Sequence, residues 1–224
     1  MAITASLSLL PRADGSATFK SGLTAVVASV SGPMEVKARD ELPDKTFIEV
    51  IVRPAVGVGG TRERALESRL LAALSPLIIL THHPRTLLQI NIQIVEAADH
   101  TDAIALLPVC INAATLALID AGTPLKSVLV ATTVLLDAEG QVVGEKVKGG
   151  SRHVLGFVRD GKCVFVESMG AFDEKAFGNA VQKGMSECAL DAGDAMEVDG
   201  AETVGMVIRH AVEKKVGLDM RWRE

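Results

Sequence analysis

The chain has 224 residues, of which 48% are hydrophobic and 23% charged, and its formal net charge is −5. This length and apolar content allow one substantial core, so we expect a single domain over residues 1–224. The net negative charge argues against a protein that binds nucleic acid over much of its surface. With no Tyr and one Trp, the chain also lacks a row of aromatic platforms for single-stranded bases.

The first predicted elements are strands. The turn at Asp14-Gly15-Ser16 leads into residues 17–20, and a second turn at 21–22 leads into the β-branched run 23–30. This order predicts two hairpin-linked strands, and residues 46–52 predict a third. Arg12 is expected either in a buried ion pair with Asp14 or Glu35, or at an interface between subunits.

The apolar period then changes to three and four residues. This predicts an amphipathic helix from Arg62 to about Leu80, which Pro76 ends or kinks late. Its cations are interpreted either as i,i+3 and i,i+4 partners of Glu63 and Glu67 or as contacts with RNA or a neighbouring subunit. These cations are Arg62, Arg64 and Arg69.

The second half repeats the order of strands followed by helix. Residues 103–121 are almost wholly apolar and predict a helix buried on nearly all sides, with Asn112 and Asp120 as buried hydrogen-bonding residues. The helix predicted at the end of the chain closes on Lys214-Lys215, which suits the negative end of its dipole. Further strands are predicted at 87–95, 127–136, 142–144, 153–158 and 163–167, and helices at 173–189 and 201–216.

Three other segments bear on the class of protein. The acidic, Gly- and Ala-rich residues 191–202 predict a mobile insertion. Cys110, Cys163 and Cys188 lie far apart without metal-ligand spacing, so we expect reduced, mostly buried thiols and no cofactor. No apolar run approaches the roughly 20 residues that span a bilayer, and no secretory signal is apparent, which indicates the cytosol or nucleus.

Three motifs occur together along the chain. They are Leu10 to Ala17 followed by 22–33, His83-Pro84-Arg85-Thr86, and Ile111 to Pro124. This combination resembles the ribonuclease PH family, especially the PH-like subunits of the eukaryotic RNA exosome ring, and the short chain is most similar to the smallest of them. The resemblance implies an α+β, or mixed α/β, fold of two similar strand-strand-helix halves packed around a buried helix.

Active members of this family shorten RNA from the 3′ end by phosphorolysis. The resemblance implies a phosphate site at the start of the central helix, on a Gly-Thr-Arg or Gly-Ser-Arg segment that is His100-Thr101-Asp102 here. Asp102 puts an anion where the family has a cation, so we expect a degenerate site that does not bind phosphate. The structural alternative is that Asp102 complements the dipole of the helix.

Two further family positions are changed. Active relatives carry paired aspartates for a divalent metal just before the strand that begins near His153, whereas this chain has Lys146, Lys148 and Arg152 there. These cations are interpreted either as a solvated loop or as a basic rim that contacts RNA or a neighbouring subunit. An arginine of the family's first helix corresponds to Leu70 or Leu71.

The resemblance therefore implies a structural, catalytically inactive ring subunit with no catalytic or metal-binding residues. It would support 3′-to-5′ RNA processing and degradation, including that of ribosomal RNA, in the nucleus, nucleolus and cytoplasm. The implied partners are other ring and cap subunits and RNA in the assembled channel, with a homodimer when the chain is isolated. The alternatives are a phosphorolytic homo-oligomer and a metal-dependent hydrolytic homodimer that uses Asp14, Asp102 or Asp137.

Overall fold

The computed structural model describes residues 3–97, 103–137, 139–144, 149–189 and 203–223. The predicted insertion 191–202 lies outside these ranges, and the single domain stays a prediction. The described α-helices are α1 (Thr61–Leu74), α2 (Ala103–Asp120), α3 (Glu174–Cys188) and α4 (Val204–Asp219), and a short 3-10 helix covers Arg221–Arg223. The described strands are β1 (Ile3–Leu7), β2 (Gly15–Ser21), β3 (Thr24–Glu35), β4 (Phe47–Arg53), β5 (Thr86–Glu96), β6 (Leu129–Leu136), β7 (Val142–Val143), β8 (Ser151–Val158) and β9 (Cys163–Met169).

The first sheet has the order β1-β2-β3-β5-β4. The predicted hairpin is confirmed, because β2 and β3 pair antiparallel with Ser21 opposite Thr24 and Gly22 turns the chain at a φ of 58°. Strand β4 runs parallel to β5 and is connected to it through α1. Strand β1 was not predicted, although Ile3, Ala5 and Leu7 alternate with polar neighbours as an edge strand should.

The second sheet has the order β7-β6-β8-β9, and all its neighbours are antiparallel. Helix α3 packs on β6 and β8. Gly184 permits this approach, since a β-carbon there would lie 2.9 Å from Leu155 Cδ1. The prediction of a mixed α/β fold with two halves around a buried helix is confirmed.

Helix α2 lies between the two sheets and contacts β2 and β3 on one side and β6 and β8 on the other. Fourteen of its 18 residues are buried, as its apolar sequence predicts. The expectation that no apolar run approaches the length of a membrane span is wrong for this helix, which is long and apolar enough to cross a bilayer. However, 78% of it is buried inside the protein, as in a core helix. Gly122 ends it with a φ of 65°, and the Thr123 amide donates back to the Leu118 carbonyl at 3.1 Å.

Two helix boundaries differ from the prediction. Helix α1 stops at Leu74, immediately before Ser75-Pro76, instead of continuing to about Leu80. Proline cannot donate to the helical ladder and clashes with the preceding turn, which accounts for the earlier end. Helix α4 begins at Val204 and continues to Asp219, so Lys214 and Lys215 lie inside the helix and not at its end.

Candidate functional site

The acidic residues of α1 bind the backbone, not the arginines. Glu67 Oε1 accepts a hydrogen bond from the Val52 amide at 2.9 Å, which ties α1 to β4. Glu63 Oε2 accepts from the Gly60 amide at 2.7 Å, and this bond lowers the pKa of the Glu63 carboxyl. Along the described α1 no ion pair joins these glutamates to the arginines, so the predicted pairing is wrong.

The three arginines of α1 have different environments. Arg69 Nη2 lies 3.1 Å from Glu167 Oε1, an ion pair that joins α1 to β9 of the other sheet. The Nε atom of Arg62 is buried and has no hydrogen-bond partner among the described residues. Arg64 is exposed. Of the three predicted contact residues, Arg64 therefore presents its whole side chain to a partner most readily.

The other predicted contact residues are described only in part. Residues His100, Thr101 and Asp102 lie outside the described ranges, as do Lys146 and Lys148, so the degenerate phosphate site and most of the basic rim stay predictions. Arg152 lies in strand β8, opposite Leu135, and its Nε atom is buried. Its interpretation as part of a solvated loop is therefore wrong, because strand pairing holds this residue half-buried.

Two carboxylates considered for a metal-dependent nuclease accept hydrogen bonds from backbone amides. Asp14 Oδ2 accepts a hydrogen bond from the Gly32 amide at 2.8 Å. Asp137 Oδ1 accepts from the amides of Glu139 and Gln141 at 3.0 and 2.8 Å. In the described part of the chain, no group of three or more His, Cys, Asp or Glu is placed to hold a metal ion.

Arg12 differs from its interpretation, and the nearby Gly15 is required by packing. Arg12 is exposed and makes no ion pair within the described ranges, so the buried pair with Asp14 or Glu35 is not formed. Gly15 does not adopt a positive φ. A β-carbon at this position would lie 2.3 Å from the Ala117 carbonyl oxygen, so the close approach of β2 to α2 requires glycine here.

The C-terminal end of α2 carries a cluster of Ser8, Ser16, Asp120 and Lys215, which we call the Asp120 cluster. Asp120 Oδ1 accepts from Ser8 Oγ at 2.7 Å, and Oδ2 accepts from the Ser16 amide at 2.7 Å. Lys215 Nζ donates to Oδ1 and to the Asp120 carbonyl oxygen. The carboxylate therefore joins the β1–β2 connection, α2 and α4.

Lys215 compensates the negative charge at the C-terminal end of α2. The sequence had instead predicted that it would interact with the negative end of its own helix, α4. Burial raises the pKa of the Asp120 carboxyl, but the hydrogen bonds from Lys215, Ser16 and Ser8 outweigh burial and bring the pKa below its usual value. The prediction of Asp120 as a buried hydrogen-bonding residue is confirmed. The same holds for Asn112, whose amide exchanges two 2.8 Å hydrogen bonds with the Ala131 backbone.

His153 was not predicted as a site residue. It is fully buried in β8, where its two ring nitrogens contact Ser151 Oγ at 2.9 Å and Ser168 Oγ at 2.8 Å. The Phe172 ring stands edge-on to the imidazole, with centroids 4.7 Å apart. Burial lowers the pKa of His153, so the neutral form is favoured and the residue is a structural group. The available signal was its place in a strand whose following residues, Val154 to Phe157, are apolar or glycine and buried.

The cysteines are free thiols. Cys110 and Cys188 are buried, and Cys163 is exposed. Burial raises the pKa of Cys110 to about 12, which keeps this thiol protonated at neutral pH. The prediction of mostly buried cysteines is thus confirmed for Cys110 and Cys188, and their reduced state stays a prediction.

Comparisons with known proteins agree with this fold. Residues 2–124 match the 3′ exoribonuclease family, domain 1 (RNase PH). The exosome complex component RRP46 of Saccharomyces cerevisiae is 40% identical over 202 residues, which cover 84% of this chain and 91% of the yeast protein. The exosome complex component rrp46 of Schizosaccharomyces pombe is 45% identical over 120 residues, 54% of this chain and 51% of that protein.

Two solved structures have the same architecture. Rice (Oryza sativa) Rrp46 superposes with a TM-score of 0.72 at 29% identity, covering 83% of this chain and 88% of the rice chain. A chain of the Archaeoglobus fulgidus exosome with RNA bound to the active site gives a TM-score of 0.65 at 19% identity, covering 82% and 84%, and shares the fold. Because the family match spans more than half of the sequence and a relative matched over 91% of its length is 40% identical, the chain belongs to the RNase PH family.

Proposed function

We propose that this chain is a structural subunit of the RNA exosome ring, where it supports 3′-to-5′ RNA processing and degradation by scaffolding the RNA channel. The observation that carries the proposal is the 40% identity to the yeast exosome component over 84% of the chain. This likeness extends beyond the family match at 2–124. The region of likeness therefore includes the second sheet.

We further infer that the chain has no phosphorolytic activity of its own. Attack by phosphate on a phosphodiester brings two anions together and needs fixed cations around them. At the position of the family's helix arginine this chain has Leu70, which is fully buried, or the apolar Leu71. The adjacent Arg69 is held by Glu167. Asp102 adds an anion at the implied phosphate site.

An exposed sheet edge provides a surface for a ring neighbour. Within the described residues, β9 pairs only with β8, so its outer edge has free backbone donors and acceptors. Val164 and Val166 on β9 are exposed, as is Met185 of α3, which reaches the β8–β9 turn. Apolar side chains beside an open edge favour cover by another subunit, which supports a hetero-oligomer.

The remaining parts of the proposal follow from the same assignment. Other ring and cap subunits are the protein partners, and RNA is contacted through the assembled channel. The nucleus, including the nucleolus, and the cytoplasm are the proposed locations. We expect no membrane association. A homodimer is the proposed state of the isolated chain, because its edge surfaces then lack their ring neighbours.

The ring assignment is tested by tagging the chain at its natural expression level, purifying it gently and measuring the mass of the native complex. We expect one assembly containing several different chains. A homodimer as the only species isolated from cells would contradict the assignment. Fluorescence of the tagged chain in living cells tests the proposed locations in the same strain.

The inactivity is tested with the purified chain and single-stranded RNA. We expect no release of nucleoside diphosphates when inorganic phosphate is added. Phosphate-dependent release would establish the phosphorolytic alternative. Cleavage that needs Mg²⁺ or Mn²⁺ and disappears in Asp14→Asn or Asp137→Asn would establish the hydrolytic one.

A further inference from the structure

A cavity lies where the chain turns after α2, and we call it the junction pocket. Its volume is about 400 Å³, including the part that is open to solvent. The three motifs that carry the family resemblance meet here, because the lining includes Gly32 and Pro33, His83, and residues 121–124. The proposed scaffold function assigns no role to these residues.

The junction pocket is separate from the phosphate site that the family resemblance implies. That site would precede the N-terminal end of α2, whereas the pocket lies at the C-terminal end. At 1.5 Å per residue, the 18 residues of α2 separate these ends by about 27 Å. Among the described residues that line the pocket, none is Lys, Arg, Asp or Glu. The pocket therefore offers no fixed charge to a phosphate or a metal ion.

Hydrogen bonds fix the walls of the junction pocket. The Ile79 amide donates to the Pro124 carbonyl oxygen at 3.0 Å, which joins the chain before β5 to the turn after α2. The Thr46 amide donates to the Leu80 carbonyl oxygen at 2.9 Å, and the Thr46 hydroxyl donates to the His83 carbonyl oxygen at 2.7 Å. The walls are therefore preformed, as in most small-molecule sites, which reduces the entropic cost of binding.

Two lining residues keep hydrogen-bonding capacity in their side chains. His83 Nε2 lies 3.1 Å from His82 Nδ1, whereas His83 Nδ1 has no hydrogen-bond partner among the described residues. Within the same ranges, the Thr123 hydroxyl also makes no hydrogen bond. A neutral imidazole nitrogen either donates or accepts, depending on the tautomer. A hydroxyl group on a ligand can do both, so it matches either tautomer of His83.

The rest of the lining favours an apolar ring. Ile78 and Leu88 are buried, and Ile79 and Pro124 are half-buried. An apolar cavity of about 150 Å³ can hold benzene, so the junction pocket has room for one aromatic ring and a polar substituent. A charged substituent is disfavoured, because it would lose water without gaining an ion-pair partner.

We propose that the junction pocket binds a small, neutral, hydroxylated aromatic compound of a single ring. The ring lies between the apolar side chains, and the hydroxyl is hydrogen-bonded to His83 Nδ1 and Thr123 Oγ1. A nucleotide is disfavoured because no lining cation would offset its phosphate. The proposal goes beyond the scaffold function and does not depend on ring assembly.

The probe is 4-fluorophenol, followed by ¹⁹F NMR with the purified full-length chain. We expect saturable line broadening with a Kd on the order of 1 mM, as for a ligand of so few atoms. Fluorobenzene, which lacks the hydroxyl, and 4-fluorobenzoate, which is an anion, should each bind about fivefold more weakly or less. The proposal is overturned if 4-fluorophenol does not bind, or if either comparison compound binds equally well.

Variants locate the bound probe. His83→Phe keeps an aromatic ring but removes both nitrogens, and Thr123→Val keeps the shape but removes the hydroxyl. Each should weaken binding of 4-fluorophenol about twofold to tenfold, the usual effect of one hydrogen bond. Thr81→Val is the matched control, because Thr81 is exposed and does not line the pocket. Unchanged affinity in Thr123→Val, which should fold normally, would contradict the proposed contacts even if His83→Phe did not fold.

Two further measurements distinguish other occupants. The probe should bind the native assembly as it binds the isolated chain. Loss of binding in the assembly would show that a neighbouring subunit fills the pocket, and the proposal would be wrong. Displacement of the probe by single-stranded oligoadenylate would also refute it, since an RNA base would then be the occupant. None of these results would alter the ring assignment, which native mass tests separately.

Discussion

Replacement of Lys215 by methionine removes one donor from the Asp120 cluster while keeping an unbranched stem. The Asp120 side chain is 4% exposed and the Lys215 side chain 27% exposed, so the contact is largely shielded from water. After the change, Ser8 Oγ and the Ser16 amide still donate to the carboxylate. The variant therefore isolates the attachment of α4 to the end of α2.

The expected loss is moderate. A hydrogen bond to a charged group contributes about 1.5–3 kcal/mol. The lower part of this range applies, because two donors remain and the ammonium is partly solvated, so we expect a loss of about 1–2 kcal/mol. Asp120→Ala removes the acceptor for all three donors and should cost about 3–5 kcal/mol. For a domain of this size, 1 kcal/mol corresponds to about 2–4 °C in Tm.

Urea unfolding at neutral pH, followed by circular dichroism, measures these differences, and Lys214→Met is the matched control. Lys214 is the exposed neighbour on the same helix, so its removal should leave the free energy of unfolding unchanged. If Lys215→Met is as stable as Lys214→Met, the contact between Lys215 and Asp120 does not stabilise the fold, and the prediction is wrong. Because the folded pKa of Asp120 lies below its ordinary 3.8, the difference should persist above that pH and vanish as pH falls through the folded value.

Four further outcomes can be measured by the same unfolding assay. Asn112→Ala removes two buried hydrogen bonds to Ala131 and should cost about 2–4 kcal/mol. Gly15→Ala should cost about 3 kcal/mol or more, since its β-carbon would meet the α2 backbone at 2.3 Å. Gly178→Ala, in a helix with open space around it, should instead stabilise by up to about 1 kcal/mol. Because burial lowers the pKa of His153 from 6.5, the native state should lose stability as pH falls below that value, and His153→Gln should lessen this loss.

Local pattern was sufficient for most helices and strands. The alternation at 87–95 and the apolar run at 103–121 correspond to β5 and α2, because each pattern reports burial of its own segment. The parallel pairing of β4 with β5 was not predicted, since register depends on contacts between segments far apart in the chain. The end of α1 was predicted too late because a proline is compatible with either a kink or a stop.

For the site residues, the sequence predicted which side chains are buried and hydrogen-bonded, but not which residues they bond to. Asn112 and Asp120 were predicted as buried hydrogen-bonding residues because polar side chains on an apolar helix need partners. Their partners were not predicted, as Ala131 is 19 residues and Lys215 95 residues away. Lys215 was assigned to its own helix because a dipole argument uses only local sequence. In the folded chain, its ammonium group contacts the end of another helix, α2.

Helix α2 makes the first half of this protein dependent on the second during synthesis. The family match ends at residue 124, just after α2 ends at Asp120, yet one flank of that helix is covered by β6 and β8. A nascent chain that ends there would expose apolar side chains of α2 to solvent. It would also lack the hydrogen bond from the Asn112 amide to the Ala131 carbonyl oxygen. Such a fragment should aggregate or recruit chaperones, so the segment that the family match covers is shorter than the unit that can leave the ribosome folded.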